Sequence, residues 1–467
     1  MFCQCKNQQN FDTLLPNTNI CPVCTGQPWA LPTLSEEVLY KALLLWKALN
    51  CQINPISQFD RKSYFYPDLP MGYQITQLYN PTNVKGQMKF FLDNYNQEKS
   101  IQIIDAHMEC DTGKMIHNWG EALLDFNRAG TPLIEIVTWP DFNYVNEVIE
   151  FLKELQRLAR YNDLSDADME KWQMRVDVNI SVRKSESDPL WTRVEVKNIN
   201  SFWAIKRAID HEYTRQTELY EKWKKFDQQT RWWDDMKGES YLMRSKEDAL
   251  DYRYFPEPDL PPLVLSKEML KRLDNQQVEI PYDIIKKFKS EYWFNKEYIN
   301  ALISDKDILD YFLEIQKYTH ARDKKEEIEF ANLIVKRISP ISAYINDTLK
   351  TLDNLPLTKQ KFLNFLKIAH KWDIIESQLK IVMDELIKTW EAPENIIKSK
   401  WFDAPTLSQS DLENIAKEVL NENPNIVEQY KWWKTTTIGF FVWQVMKKTW
   451  WKSNPKAIQD ILIKLLS

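Results

Sequence analysis

The run Arg175-Val176-Asp177-Val178-Asn179-Ile180-Ser181-Val182-Arg183 alternates strictly between polar and apolar residues. Successive side chains of a strand point to opposite faces, so Arg175, Asp177, Asn179, Ser181 and Arg183 share one side. After a turn through residues 185–189, Arg193-Val194-Glu195-Val196-Lys197-Asn198 repeats the pattern. Paired as a hairpin, the two strands present Asp177, Asn179, Arg193, Glu195 and Lys197 together. A plain solvent face alternates in the same way, so this pattern does not choose by itself. Asp105, His107, Glu109 and Asp111 also occupy alternate positions, and Glu135 is a lone carboxylate in the apolar stretch 131–137. A carboxylate buried there needs a cation or partner. Acids and one His beside Lys and Arg suit a Mg²⁺–phosphate site built from oxygen ligands. No G-x4-G-K-[ST] loop exists, so a nucleotide would lie on a sheet face rather than in a glycine-rich cradle.

A second group of ligand-bearing residues opens the chain: Cys3-x-Cys5 and Cys21-x-x-Cys24. Two close pairs of thiolates can converge on one tetrahedral, structural Zn²⁺; four unrelated free thiols are the alternative. Cys51 and Cys110 stand alone and read as ordinary buried thiols.

The elements that must position these residues follow from periodicity. Thr33-Leu34-Ser35-Glu36 reads as a capping box opening a helix to about Leu49, and residues 143–160 carry a helical apolar stripe. Strands are expected over 101–110, 131–138, 174–183 and 191–199. The proline cluster at 255–262 closes this mixed region, and from about Ile280 the pattern is helical almost throughout. The expected class is α+β: an N-terminal mixed or antiparallel-sheet domain over 1–278, an all-α domain over 279–392, and a small helical tail over 393–467. In the tail, residues 431–467 hold seven Lys against one acid, Asp460, in a chain of net charge -6. Lys447, Lys448 and Lys452 there could follow a phosphate backbone or form a solvated helix face.

With 467 residues, 43% of them hydrophobic, the chain can bury cores for two or three domains. No apolar run approaches the ~18 residues of a membrane span, and the first residues lack a signal-peptide pattern, so a cytoplasmic protein without membrane contact is expected. One count is abnormal. Ordinary usage of about 7% Gly would give roughly 33 in this length, yet the chain has 8 Gly and 19 Trp.

At these same residues the sequence resembles the GatB family, the B subunits of the tRNA-dependent amidotransferase. The resemblance runs through residues 17–24, 59–70, 72–75, 125–135, 197–202, 243–247 and 251–259, and in the tail through 439–442 and 444–447. It covers essentially the whole chain. It implies a cradle domain holding zinc, Mg²⁺ and ATP, a helical domain and a YqeY-like tail. It implies partnership in a heterotrimer with an amidase subunit and a third, small subunit. Such a complex phosphorylates the side-chain carboxylate of Glu on misacylated tRNA(Gln), or Asp on tRNA(Asn), and displaces the phosphate with ammonia from glutamine. By resemblance Glu135, Asp177 and Glu195 hold Mg²⁺, Lys197 and Arg175 lie near the phosphates, and His107, Glu109, Asn179 and Asn198 contact the cofactor.

The sequence departs from the family pattern at several points. A leading strand with Gly-Leu-Glu-Val-His, whose Glu and His help hold the metal, precedes the first residue here. Glu109-Cys110 stands for an adjacent acidic pair, and Trp139-Pro140-Asp141 for Glu-Pro-Asp. These departures leave a second reading open: a catalytically impaired, zinc-stabilised, tRNA-binding subunit or gene fragment. The family pattern also expects Gly at Trp29, Trp172, Trp191, Trp232, Trp401 and Trp443, and Trp at Trp233. UGA codons read as Gly in the cell but written as Trp would produce this, and a genuinely Trp-rich chain is the alternative.

Overall fold

A computed structural model describes residues 1–7, 14–118, 120–245, 251–318, 321, 323–344, 357–371, 374, 376–389, 391–400, 402, 409–432, 437–449 and 455–466. It forms two compact units, Met1–Lys287 and Phe288–Ser467. The first unit begins with α1 (Glu36–Ala48), β1 (Gln52–Ile53), β2 (Ile56–Ser57), β3 (Asp60–Ser63) and β4 (Tyr73–Thr76). Next come β5 (Asn83–Leu92), β6 (Gln97–Cys110), β7 (Lys114–Asn118), β8 (Glu121–Asp125), β9 (Pro132–Thr138) and α2 (Val145–Tyr161). It continues with β10 (Val176–Ile180), β11 (Val194–Ile199), α3 (Phe202–Glu221), β12 (Gln229–Asp234) and β13 (Glu239–Ser245). Then follow β14 (Phe255–Pro256), β15 (Leu263–Val264), α4 (Lys267–Asn275) and α5 (Pro281–Tyr292), which runs across the boundary.

Two four-stranded sheets carry the architecture, with strand orders β1-β5-β6-β9 and β10-β11-β12-β13. In the first, β5, β6 and β9 pair antiparallel. The register shifts between Ile103 and Asp105, and such a bulge changes which residues face inward. Before it Ile101 and Ile103 are buried; after it Ala106, Met108 and Cys110 are, which turns Asp105, His107 and Glu109 to the other face. In the second sheet β10 and β11 are antiparallel, whereas β11 and β12 are parallel. Parallel neighbours need a crossover, here α3, whose Ala204, Ile205 and Ala208 join Val194, Val196 and Ile199 in one core.

Helix α1 is capped two residues later than the capping box predicts. The Ser35 hydroxyl accepts from Val38 N–H at 3.5 Å, while Thr33 N–H is spent on the Phe2 carbonyl at 3.1 Å. The extended pairing of residues 33–35 with Met1 and Phe2 delays the helix.

The second unit is helical: α6 (Lys296–Ile303), α7 (Lys306–Lys317), α8 (Lys324–Tyr344), α9 (Lys359–Lys371), α10 (Glu376–Leu386), α11 (Pro393–Ser399), α12 (Gln409–Glu422), α13 (Pro424–Trp432), α14 (Ile438–Lys448) and α15 (Pro455–Leu466). Val419, Phe441, Val445, Ile458 and Leu462 form the core of α12, α14 and α15. The chain is therefore α+β, with a mixed-sheet N-terminal part followed by helices. Among the described residues, no helix is long and apolar enough to cross a membrane.

Candidate functional site

Strands β9 and β10, with Glu195 and Lys197 of β11, border an open trough of about 3270 Å³ in the first unit. Glu109, Glu135, Arg175, Asp177, Glu195 and Lys197 all border it, as does Asn179.

On one wall, His107 of β6 is the direct cross-strand partner of Glu135 of β9. His107 Nδ1 lies 2.8 Å from Asp105 Oδ1, and its Nε2 3.6 Å from Glu135 Oε2. One ligand atom each from His107, Glu109 and Glu135 falls within 4.8 Å of the others, a spacing that could hold a metal ion. Burial and the Glu135 charge raise the Glu109 carboxyl above its usual range, against the pull of Lys62. Burial disfavours a charged His107, yet its hydrogen bond to Asp105 and the nearby Glu135, Asp105 and Glu109 charges raise its pKa overall. The expectation that Glu135 is buried is corrected. Its side chain is 52% exposed, because β9 ends the sheet order and its polar face opens on the trough.

The other wall is the hairpin. Asn179 faces Glu195 across β10 and β11. The Lys197 ammonium donates to Asp177 Oδ2 and lies 3.2 Å from Glu195 Oε1. Burial opposes the Lys197 charge, but Asp177 and Glu195 outweigh it and raise its pKa. Thr230 donates to Glu195 Oε2 at 3.0 Å. The structure thus brings Glu135 together with His107 and Glu109, whereas Asp177 and Glu195 flank Lys197. Asn198 takes neither place: at φ 66°, its side-chain amide donates to the Trp233 carbonyl at 3.0 Å.

Asp111, the last of the alternating acids, and two residues that the sequence does not single out, Lys62 and Arg128, also lie along the trough. Arg128 joins Arg175 around the Asp111 carboxylate. Lys62 sits 5.0 Å over the Tyr252 ring. Asp111 carries a signal, as the last member of the alternating row that starts at Asp105; Lys62 and Arg128 carry none. Cys110 does not face the site at all: it is 3% exposed in the core beside Ala106 and Met108. This agrees with the reading of Cys110 as an ordinary buried thiol, since strand alternation turns position 110 away from Glu109.

The four N-terminal cysteines converge, their sulfurs lying within 4.8 Å of one another, so this cluster too could hold a metal. Hydrogen bonds from Thr25 N to Cys21 O and from Gly26 N to Val23 O fold the second pair into a tight turn. A hydrogen bond with Cys24 draws the Cys3 thiol down to about 5, and burial pushes Cys5 up to about 12.

In the tail, Lys447 lies 5.5 Å over the Trp443 ring. Lys448 is paired with Glu418 at 3.1 Å and Glu422 at 2.6 Å. Lys452 lies outside the described residues.

The family model described as the GatB/GatE catalytic domain matches residues 1–271, and the one described as the GatB domain matches residues 314–466. The B subunit of the aspartyl/glutamyl-tRNA(Asn/Gln) amidotransferase of Elusimicrobium minutum (strain Pei191) is 40% identical over 466 residues, covering 100% of this chain and 95% of that protein. The chain belongs to the GatB family. Relatives of the same name from Persephonella marina and Thermoanaerobacter pseudethanolicus are each 38% identical, over 465 and 468 residues, and cover 100% of this chain. The chain spans 95% and 96% of those two relatives. Every residue of the trough lies within the GatB/GatE catalytic-domain match, and Lys447 and Lys448 lie within the second.

Proposed function

We propose that this GatB-family chain phosphorylates the side-chain carboxylate of Glu on misacylated tRNA(Gln), or of Asp on tRNA(Asn), at the expense of ATP. Ammonia then displaces the phosphate; it is released from glutamine by an amidase subunit, in a complex that also contains a third, small subunit. The observation that carries this reading is one trough bordered by Glu109 and Glu135, two members of an acid–His cluster with metal-ligand spacing, and by Lys197 and Arg175. Activation is needed because a carboxylate is a poor electrophile, and phosphoryl transfer is promoted chiefly by positioning and charge neutralisation.

The donor set of His107, Glu109 and Glu135 suits a hard divalent cation that keeps part of its water shell. Bound there, Mg²⁺ would neutralise charge on the transferring phosphoryl group. Asp177 and Glu195 hold the Lys197 ammonium in place, and Arg175 supplies guanidinium N–H groups to phosphate oxygens. Asn179 offers a neutral side-chain amide on the same face. The four cysteines are a closed sulfur set of the structural zinc kind. In the tail, Lys447 contacts the tRNA backbone, with Lys448 and Lys452 contributing to the same basic field.

The test is copurification with the amidase and the small subunit, followed by an amidation assay with ATP, glutamine and Glu-tRNA(Gln) or Asp-tRNA(Asn). Asp177→Ala and Glu195→Ala are expected to abolish phosphorylation of the aminoacyl-tRNA while glutamine hydrolysis persists. Binding of tRNA without any ATP-dependent phosphorylation by the wild-type complex would sink the reading in favour of a non-catalytic tRNA-binding protein.

A further inference from the structure

The two walls of the trough stand on different sheets, and a side chain between them must keep them in register. Asp111 directly follows β6 and Arg175 directly precedes β10. Arg175 grips Asp111 with both terminal nitrogens, Nη1 donating to Oδ1 at 3.1 Å and Nη2 to Oδ2. Arg128 Nε lies 3.3 Å from the same Oδ2, and Thr112 N–H donates to Oδ1 at 2.9 Å. The Asp111 side chain is only 4% exposed, whereas Arg175 is 38% exposed and borders the trough. A carboxylate so enclosed is committed to its partners, while a guanidinium has five N–H donors and keeps some for an anion.

We propose that Asp111 is a positioning residue: it aims Arg175 at the phosphoryl group and aligns the acid–His wall with the Lys197 wall. The inference rests on the phosphoryl-transfer reading above. Misplacement of a catalytic group by about 1 Å can cost on the order of 10²-fold in rate. In the assembled complex, Asp111→Asn should therefore lower kcat for aminoacyl-tRNA phosphorylation by about 10²-fold, with KM for the tRNA and glutamine hydrolysis unchanged. In an Arg175→Ala background the same change should cost nothing further, because residues that act as a unit are not additive. Thermal unfolding of Asp111→Asn serves as the folding control, its melting temperature staying close to that of the wild type. Full activity of Asp111→Asn, or costs that add in the double variant, would overturn the inference. A wild-type complex that phosphorylates nothing would remove the reading beneath it instead.

A different observation carries a second inference. Trp29, Trp172, Trp223 and Trp293 have φ of 67°, 61°, 55° and 53°, a region in which a bulky residue is a genuine outlier. All four are exposed, Trp29 and Trp223 at 99% and 92%, so burial of the ring does not compensate for the backbone. At Trp223, just past α3, the N–H donates to Tyr220 O at 3.0 Å and the next N–H, of Lys224, to Leu219 O at 2.9 Å. Trp172 repeats this pair of bonds, to Met169 O and from Gln173 to Asp168 O. Gly26 closes the same turn at φ 65°, bonding to Val23 O, with Gln27 bonding to Pro22 O. This is the helix-ending geometry that glycine fills. Trp46 and Trp233, by contrast, are 0% and 1% exposed in the cores.

We infer that the polypeptide made in its own cell carries glycine at positions 29, 172, 223 and 293, from codons written here as Trp, and tryptophan at 46 and 233. The 8 Gly and 19 Trp of the sequence agree with this. Peptide mass spectrometry on protein from the source cells should show Gly masses at 172 and 223; Trp masses there would overturn it. A second readout uses the chain as written. Trp172→Gly and Trp223→Gly should each raise the melting temperature by about 2 °C, whereas Trp46→Gly should lower it. No rise in either surface variant would count equally against the inference.

Discussion

His107 is held by Asp105: its Nδ1 lies 2.8 Å from Asp105 Oδ1, which leaves Nε2 facing Glu135 at 3.6 Å. Such an outer carboxylate fixes the orientation of a ligating imidazole, and its loss typically costs 10–100-fold in metal affinity. Asp105→Asn should weaken Mn²⁺ or Mg²⁺ binding by at least about 10-fold in calorimetric titration. Undiminished affinity would show that the pair is merely structural.

The cysteine cluster gives a prediction about stability. Metal analysis should find about one Zn per chain. Cys24→Ser, at the one buried member of the cluster, should bring that towards zero and lower the melting temperature. A chelator should lower the wild type to the same value; a metal-free, equally stable protein would contradict the assignment.

Glu154 of α2 predicts a pH dependence. Burial pushes its carboxyl up from 4.5 to about 7, although Arg157 pulls the other way. Across that interval the folded chain keeps a proton that the unfolded chain has released, so stability falls as pH rises from about 4.5 to about 7 and levels off above. At 1.36 kcal/mol per pKa unit the loss is about 3 kcal/mol. Glu154→Gln should flatten this slope and be the more stable form at pH 8 in urea unfolding. An unchanged slope would exclude Glu154 as its source.

The tail lysines predict a salt effect. Removing one lysine that touches a phosphate reduces the slope of log K against log salt by about 1. Lys447→Ala should do so in tRNA binding. Lys448→Ala should do less, because that ammonium already sits between Glu418 and Glu422. Equal effects would mean that the Lys448 pairs break on binding.

The alternation of Asp177, Asn179, Glu195 and Lys197 is legible because a strand's period of two survives in the sequence whatever the strand packs against. Glu135 misleads for the opposite reason: its apolar neighbours suggest a buried strand, and nothing local shows that β9 ends its sheet. The bulge between Ile103 and Asp105 is also a property of the paired strand rather than of the sequence. It decides that Asp105, His107 and Glu109 share one face, with Glu109 bordering the trough, and that Cys110 faces the core. Trp223 and Trp293 carry no local signal although each follows a helical stripe, where a C-terminal glycine is the ordinary expectation. A residue type that contradicts its position is easily read as no signal.

The parallel pairing of β11 with β12 has a kinetic consequence. Non-local pairing must meet its loop-closure entropy before its contacts reward it. The hairpin of β10 and β11 closes over the loop 181–193, but β12 can pair with β11 only after the chain has passed through the 20 residues of α3. Thr230, which hydrogen-bonds Glu195, arrives with β12. The wall holding Lys197 is thus finished late, and the pairing of Thr230 with Glu195 should form in refolding only after most secondary structure has formed.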